Sequence, residues 1–217
     1  MQFREWDDIP EFMKNEDVKK YYEILRKKRF SLKVKRFFDV TASFVLILLL
    51  SPVFLILSVW IKTDSKGPVY FKQERVTQYG RKFSIFKFRT MVINADRTGS
   101  LVTVQNDSRI TVVGRKIRKY RLDEIPQLFN SLAGDMSFVG TRPEVRKYVD
   151  EYSDEMKATL LLPAGGTSEA SIRYKDEDEL LKDAVDVDEV YIQKILPEKM
   201  RWNLRAIRRF SLHGELS

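Results

Sequence analysis

From Val40 to Ile61 the chain runs without a single charge, VTASFVLILLLSPVFLILSVWI, and Ser51-Pro52 interrupts the run near its centre. As a helix this segment reaches about 30 Å, the thickness of a bilayer core. Pro52 works against a regular helix there: it lacks a backbone N–H and its ring clashes with the carbonyl of Leu48, at about 3 kcal/mol. Ser51 can back-bond to a freed carbonyl, which bends a helix further. The polar stretch that precedes the run argues against a cleaved signal peptide.

The flanks separate spanning from dipping. Arg26, Lys27, Lys28, Arg29, Lys33, Lys35 and Arg36 precede the run, and Lys62, Lys66 and Lys72 follow it. Positive charge on both sides disfavours moving either end across a membrane. A helix that is broken at Ser51-Pro52 and returns through one leaflet satisfies both constraints, and that is the expectation. The alternatives are a spanning helix with a tolerated proline and a buried core helix, the latter needing a larger protein to cover it.

The 217 residues allow a sizeable core, as one domain with appendages. A net charge of +8 favours polyanionic partners such as lipid headgroups, nucleotide phosphates or nucleic acid. With no cysteine, disulfides, thiolate zinc sites and cysteine nucleophiles are excluded. The one histidine, His213, lies four residues from the end, so histidine triads and multi-histidine metal sites are excluded in effect. Chemistry is left to Asp, Glu, Lys, Arg and hydroxyls.

Around the apolar run the pattern alternates between helix and strand. Val18, Tyr21, Tyr22 and Leu25 form an amphipathic stripe after a candidate N-cap, Asn15, and this stripe suits the protein's own core as well as a membrane surface. Residues 68–76 (PVYFKQERV) and 82–91 (KFSIFKFRTM) read as a β-hairpin turned by residues 77–80. Residues 92–108 read as a polar loop and 113–120 as a basic amphipathic stretch. Residues 176–189 carry eight acids and one lysine, a solvated face or loop. In the tail, Met200, Leu204 and Ile207 face away from Arg201, Arg205 and Arg208, an interfacial-helix pattern.

Residues 122–144, LDEIPQLFNSLAGDMSFVGTRPE, concentrate the candidate chemistry. Pro126 suits a first helical turn, so a helix is expected from near Asp123 to about Ser131. Asp123 and Glu124 then favour the helix dipole, and taken alone the pair reads first as a cap. Their company widens the options. Arg142 sits in a Gly-Thr-Arg-Pro turn, and Lys87, Arg89, Arg118 and Arg121 add cationic density. One or two carboxylates plus substrate phosphates suit Mg²⁺, arginines clamp phosphate, and an aspartate can attack phosphorus.

KQERV (72–76), FKFRTM (86–91), DSRIT (107–111), LDEIPQLFN (122–130) and GDMSFVGTRPE (134–144), in this order after an SP-broken apolar segment, resemble the bacterial sugar transferases. These are monotopic polyprenyl-phosphate phosphoglycosyl transferases, and the resemblance covers roughly residues 33–199. It implies transfer of a phospho-sugar from a UDP-sugar to undecaprenyl phosphate, with release of UMP, as the first membrane step of surface glycoconjugate synthesis. It further implies Asp123 as nucleophile and Mg²⁺ ligand, with Glu124 as its dyad partner. Arg142 would bind substrate phosphate, with Arg118, Lys87 and Arg89 as further site cations and Ser51-Pro52 as the break of a re-entrant helix. The implied setting is the cytoplasmic face of the bacterial inner membrane.

The expected fold is α+β: a small, mostly helical catalytic domain with a short β-hairpin, attached to a re-entrant membrane helix and amphipathic interfacial helices. The expected divisions are residues 1–36, 37–62, 63–199 and 200–217: an N-terminal helical segment, the membrane helix, the catalytic domain and a basic tail. Three positions depart from the family pattern: Thr141 in place of proline, Ser108 in place of proline, and the loose match of 162–171 to a PGITG-type loop. The first predicts a less rigid loop around Arg142. A shared apolar face would allow a homodimer, and no nucleic-acid module is visible. The rival function is a basic, membrane-anchored anion-binding protein without chemistry.

Overall fold

The computed structural model describes residues 3–93, 95, 107–174 and 186–211. His213 and most of the acidic 176–189 stretch lie outside these residues, as does most of the 92–108 loop. Helix α1 (Glu16–Arg26) begins where the Asn15 side chain accepts the Val18 N–H at 2.8 Å, which satisfies one orphan donor of the first turn. Its stripe of Val18, Tyr21, Tyr22 and Leu25 is fully buried. It packs in one hydrophobic cluster with Leu160, Leu161, Leu196, Met200, Leu204 and Ile207.

That cluster corrects the reading of the tail. Helix α9 (Leu196–Arg208) is amphipathic as expected, yet Met200, Leu204 and Ile207 are buried against the protein's own core instead of facing a membrane interface. The stripe of α1 is used in the same way. Chain beginning and chain end thereby cover each other's apolar faces, which is worth about 25 cal/mol per Å² of apolar surface removed from water.

The uncharged run forms the end of α2 (Arg29–Leu49) and most of α3 (Ser51–Asp64), bent by 61° at Leu50. No single helix among the described residues is long and apolar enough to cross a membrane. Pro52 falls in the first turn of α3, where the missing N–H has no helical partner to lose. Ser51 Oγ donates to the Leu48 carbonyl at 2.8 Å. The outer faces remain bare: Phe37, Phe44, Leu48, Leu49, Leu55 and Ile56 are all exposed.

Strands β1 (Tyr70–Val76) and β2 (Lys82–Phe88) form the expected antiparallel hairpin, pairing Phe71 with Lys87 and Arg75 with Phe83. The inner face of α3, Phe54, Leu57 and Ile61, packs on Phe88 and on Val113 and Ile117 of α4 (Val112–Lys119). Gly114 lets α4 approach the chain just after β2, since a Cβ there would lie 2.1 Å from the Thr90 carbonyl oxygen. A second, parallel pair joins β3 (Met136–Val139) to β4 (Ala164–Thr167). Helix α5 (Gln127–Ala133) lies between the pairs, and the short helices α6 (Arg146–Val149), α7 (Glu169–Arg173) and α8 (Val187–Val190) complete the chain.

Helices α2 and α5 are tied by polar contacts. Arg36 donates to the Ser131 and Leu132 carbonyls at 2.6 and 2.9 Å, covering the open C-terminal end of α5. Asp39, nearly fully buried, accepts the Phe138 N–H at 3.2 Å. The apolar hairpin of helices is therefore tied to the domain that follows it.

Candidate active site

Asp123 and Glu124 do not open the long helix that the sequence suggests. They sit in a separate 3-10 turn, Leu122–Glu124, and α5 starts only after Pro126. Arg121, at φ 53°, turns the chain from α4 into this turn, so the two carboxylates project from a corner instead of a helix end. Asn130 locks the corner to the hairpin: its Oδ1 accepts the Phe86 N–H at 2.9 Å and its Nδ2 donates to the Ser84 carbonyl at 2.8 Å.

Lys87 on β2 then reaches Glu124 Oε1 at 2.9 Å, and Arg142 Nη2 reaches the same oxygen at 2.8 Å. Burial raises the proton affinity of the Glu124 carboxyl, but the two cations outweigh it and hold the pKa at about 2. Burial pushes the Lys87 ammonium down, with the charge of Glu124 opposing. Charge-assisted bonds of this kind are roughly twice as strong as neutral ones. Glu124 is thus an ionised, pinned group.

Asp123 differs. Burial pushes its pKa up, Lys87 and Arg118 counter that, and the charge of Glu124 adds to it. Its carboxylate has no side-chain hydrogen bond among the described residues and faces a cavity of about 330 Å³. Arg118, Lys87, Arg75, Gln73 and Tyr70 share that cavity, so a half-buried carboxylate looks across a cationic pocket with aromatic walls.

Arg142 is held by backbone geometry. Gly165 N donates to the Thr141 carbonyl at 2.8 Å and Gly140 N to the Thr167 carbonyl at 2.9 Å, which extends the β3–β4 pairing up to the arginine. A Cβ on Gly165 would lie 2.2 Å from Gly140 N. The 164–167 segment grips this loop from alongside, with the Thr141 carbonyl accepting one of its bonds. Residues 164–167 of the atypical LPAGGTSEAS stretch supply this pairing.

Of the candidate cations, Lys87, Arg118 and Arg142 converge on the acid pair. Arg89 does not. It touches the cavity wall, but its guanidinium donates to the carbonyls of Ser65, Lys66 and Ile61, the C-terminal end of α3. It is a buried helix cap, where a cation also favours the helix dipole. Arg75 and Gln73 were not singled out from the sequence. They line the cavity with Arg75 Nη2 2.7 Å from Gln73 Oε1, and burial pushes the Arg75 pKa down. The i, i+2, i+4 spacing of Phe71, Gln73 and Arg75 on one face of a strand was the available signal.

The DSRIT segment, whose Arg109 also lines the cavity, is held by its own side chains. Asp107 grips the Arg109 guanidinium at 2.6 Å while Thr111 caps α4 through Gly114 N at 3.0 Å. Among the described residues no group of three or more Asp, Glu, His or Cys could hold a metal by itself. The donor set fits a hard cation bound partly by substrate: one free carboxylate, one adjacent pinned carboxylate, and cationic side chains placed for phosphate.

The model of the family described as bacterial sugar transferase matches residues 30–204. The chain belongs to that family. Over 123 residues it is 46% identical to the UDP-N-acetylgalactosamine-undecaprenyl-phosphate N-acetylgalactosaminephosphotransferase of Aeromonas hydrophila, covering 57% of this chain and 29% of that protein. It is 38% identical over 156 residues to the undecaprenyl-phosphate galactose phosphotransferase of Salmonella typhimurium, covering 64% and 32%. To an uncharacterized sugar transferase of Bacillus subtilis it is 37% identical over 143 residues, covering 66% and 70%. The chain spans about a third or less of the Aeromonas and Salmonella proteins. The family match includes α2, α3, the hairpin, the acid-pair corner and the Arg142 loop.

Proposed function

We propose that this protein transfers a phospho-sugar from a UDP-sugar to undecaprenyl phosphate, releasing UMP, in the first membrane step of surface glycoconjugate assembly. The relatives named above support the acceptor and the reaction class, and they carry different sugars, so the sugar stays open. One observation carries the mechanism: Asp123 is a carboxylate without a side-chain partner at the edge of a cationic cavity, while its neighbour Glu124 is pinned by Lys87 and Arg142.

In the first step an Asp123 oxygen attacks the sugar-bearing phosphorus, and the bond from that phosphorus to the UMP oxygen breaks. UMP leaves with the bond's electron pair. In the second step a phosphate oxygen of the lipid attacks the same phosphorus, the acyl-phosphate bond breaks, and Asp123 is restored as a carboxylate. Two in-line displacements replace one difficult transfer. Arg142 and Arg118 balance charge on the diphosphate, and Lys87 keeps Glu124 ionised beside the nucleophile. Asp123 and Glu124 would hold a Mg²⁺ ion, which supplies Lewis-acid stabilisation of the phosphate oxygens.

The broken helix supports a monotopic, re-entrant placement at the cytoplasmic face of the inner membrane. Residues before α2 and residues after α3 pack into one core, Ile9, Met13 and Leu25 against Leu160 and Met200. Such packing needs both ends on one side of the bilayer. The exposed apolar faces of α2 and α3 then meet acyl chains, and the cavity lies close to where a polyprenyl phosphate presents its headgroup.

The test uses the full chain in detergent with Mg²⁺ and a panel of UDP-sugars, followed by intact mass and UMP release. A mass gain of one phospho-sugar, absent in Asp123→Asn, is the expected result and names the sugar. Turnover that appears only with polyprenyl phosphate, with no adduct in any donor, would replace the covalent route by direct transfer. No UMP under either condition would overturn the enzymatic reading.

A further inference from the structure

A second cavity, of about 230 Å³, lies at the turn end of the β1–β2 hairpin and shares no lining residue with the first. Arg4, Arg36 and Arg81 converge on it from the N-terminal segment, α2 and the hairpin turn, together with Gln78, Tyr79 and Gly134. Each arginine is oriented by a contact of its own. The Arg4 N–H donates to the Tyr79 hydroxyl at 3.0 Å and its guanidinium lies 4.8 Å above that ring. Arg36 is aligned by the α5 carbonyls, and Arg81 Nη2 is 2.8 Å from Asp135 Oδ1. Gly134, at φ 93°, leaves room for Arg36, because a Cβ there would lie 3.0 Å from Arg36 Nη2.

The charge is not balanced locally. Among the described residues, the three arginines form one ion pair here, Arg81 with Asp135. A guanidinium has five N–H donors, and the bonds above use at most two per arginine. Donor-rich forks around a small cavity match the oxygens of a phosphate group. The position along α2 indicates its source. Arg36 is adjacent to Phe37, which at 73% exposure continues the bare aromatic line from Phe30, at 79%, to Phe44, at 54%. A line of exposed phenylalanines belongs among lipid chains, so the cavity stands at headgroup level.

We propose that this cavity binds the phosphate of an anionic lipid headgroup, at a site separate from the catalytic one. The inference rests on the membrane placement proposed above. The ligand sets the height and tilt of the docked domain on the bilayer through α2 and the hairpin turn.

The test reconstitutes the full chain in nanodiscs of phosphatidylcholine, alone or with phosphatidylglycerol, and counts retained lipid by native mass spectrometry. Wild type should prefer phosphatidylglycerol. Each exposed arginine removed should weaken that preference about fivefold, so Arg4→Gln with Arg81→Gln should weaken it about 30-fold. The single Arg4→Gln variant keeps the Arg81–Asp135 pair and guards against misfolding. No preference in wild type, or a preference undiminished in both variants, overturns the proposal. Inorganic phosphate, titrated against the arginine side-chain NMR signals in detergent, separates the sources: tight binding of phosphate without lipid preference assigns the cavity to a free anion and overturns the lipid form. Failure of wild type to enter phosphatidylcholine discs would overturn the membrane placement, and this site with it.

Discussion

Lys87 lies 2.9 Å from Glu124 although 37 residues separate them, and this contact joins the hairpin to the acid-pair corner. Both side chains are largely buried, so removing Lys87 leaves the Glu124 charge to Arg142 alone. Lys87→Met should cost about 2 kcal/mol of stability and at least 100-fold in UMP release. The thermal midpoint and initial rate of the purified variant check this; unchanged rate with lowered stability would make Lys87 a structural cation only.

The same cluster predicts an acid limit. The folded pKa of Glu124, about 2, lies below the 4.5 of an unperturbed glutamate, so its stabilisation is present above pH 4.5 and is lost as pH falls toward 2. In denaturation curves taken in chelator, the gap between wild type and Glu124→Gln should narrow from pH 6 to pH 3, closing only toward pH 2. A constant gap between them would refute the pinned carboxylate.

Arg89 separates capping from substrate binding. Arg89→Lys keeps the charge but loses the fork that serves several carbonyls, leaving buried acceptors unmet at about 1 to 3 kcal/mol. The melting temperature should fall while KM for the UDP-sugar stays within about twofold, a margin of about 0.4 kcal/mol. A raised KM at constant stability would return Arg89 to the substrate.

Legibility followed the range of the interaction. The helix break, the hairpin and the stripes of α1 and α9 are local periodicities, and Ser51-Pro52 carries its reason within two residues. What the stripes cover is a long-range matter: Leu25 and Met200 share one core only because the chain closes on itself, and an apolar face looks the same whether it meets lipid or protein. The acid pair was visible as a pair, but its 3-10 corner depends on Arg121 adopting a left-handed turn and on Asn130 pairing with β2. Arg75 was missed because its alternation with Phe71 and Gln73 marks a shared strand face but not the cavity that this face will line. The capping bonds of Arg89 were not legible because an arginine amid aromatic residues looks the same whether it caps a helix or meets a phosphate.

The β3–β4 grip on Arg142 can be loosened at one atom. Gly165 faces Gly140 so closely that Gly165→Ala places a methyl 2.2 Å from Gly140 N and O, and the backbone must move. Overpacking of this kind costs about 1 to 3 kcal/mol. The displacement falls on the residues that hold Thr141 and so on Arg142, whose bond to Glu124 at 2.8 Å has little slack. Activity should therefore fall further than stability predicts: at a temperature where the variant is fully folded by circular dichroism, UMP release should drop at least tenfold. Arg142→Lys, which keeps charge without the fork, should show the same loss with normal stability. A Gly165→Ala protein that is folded and fully active would show that Arg142 does not depend on this grip.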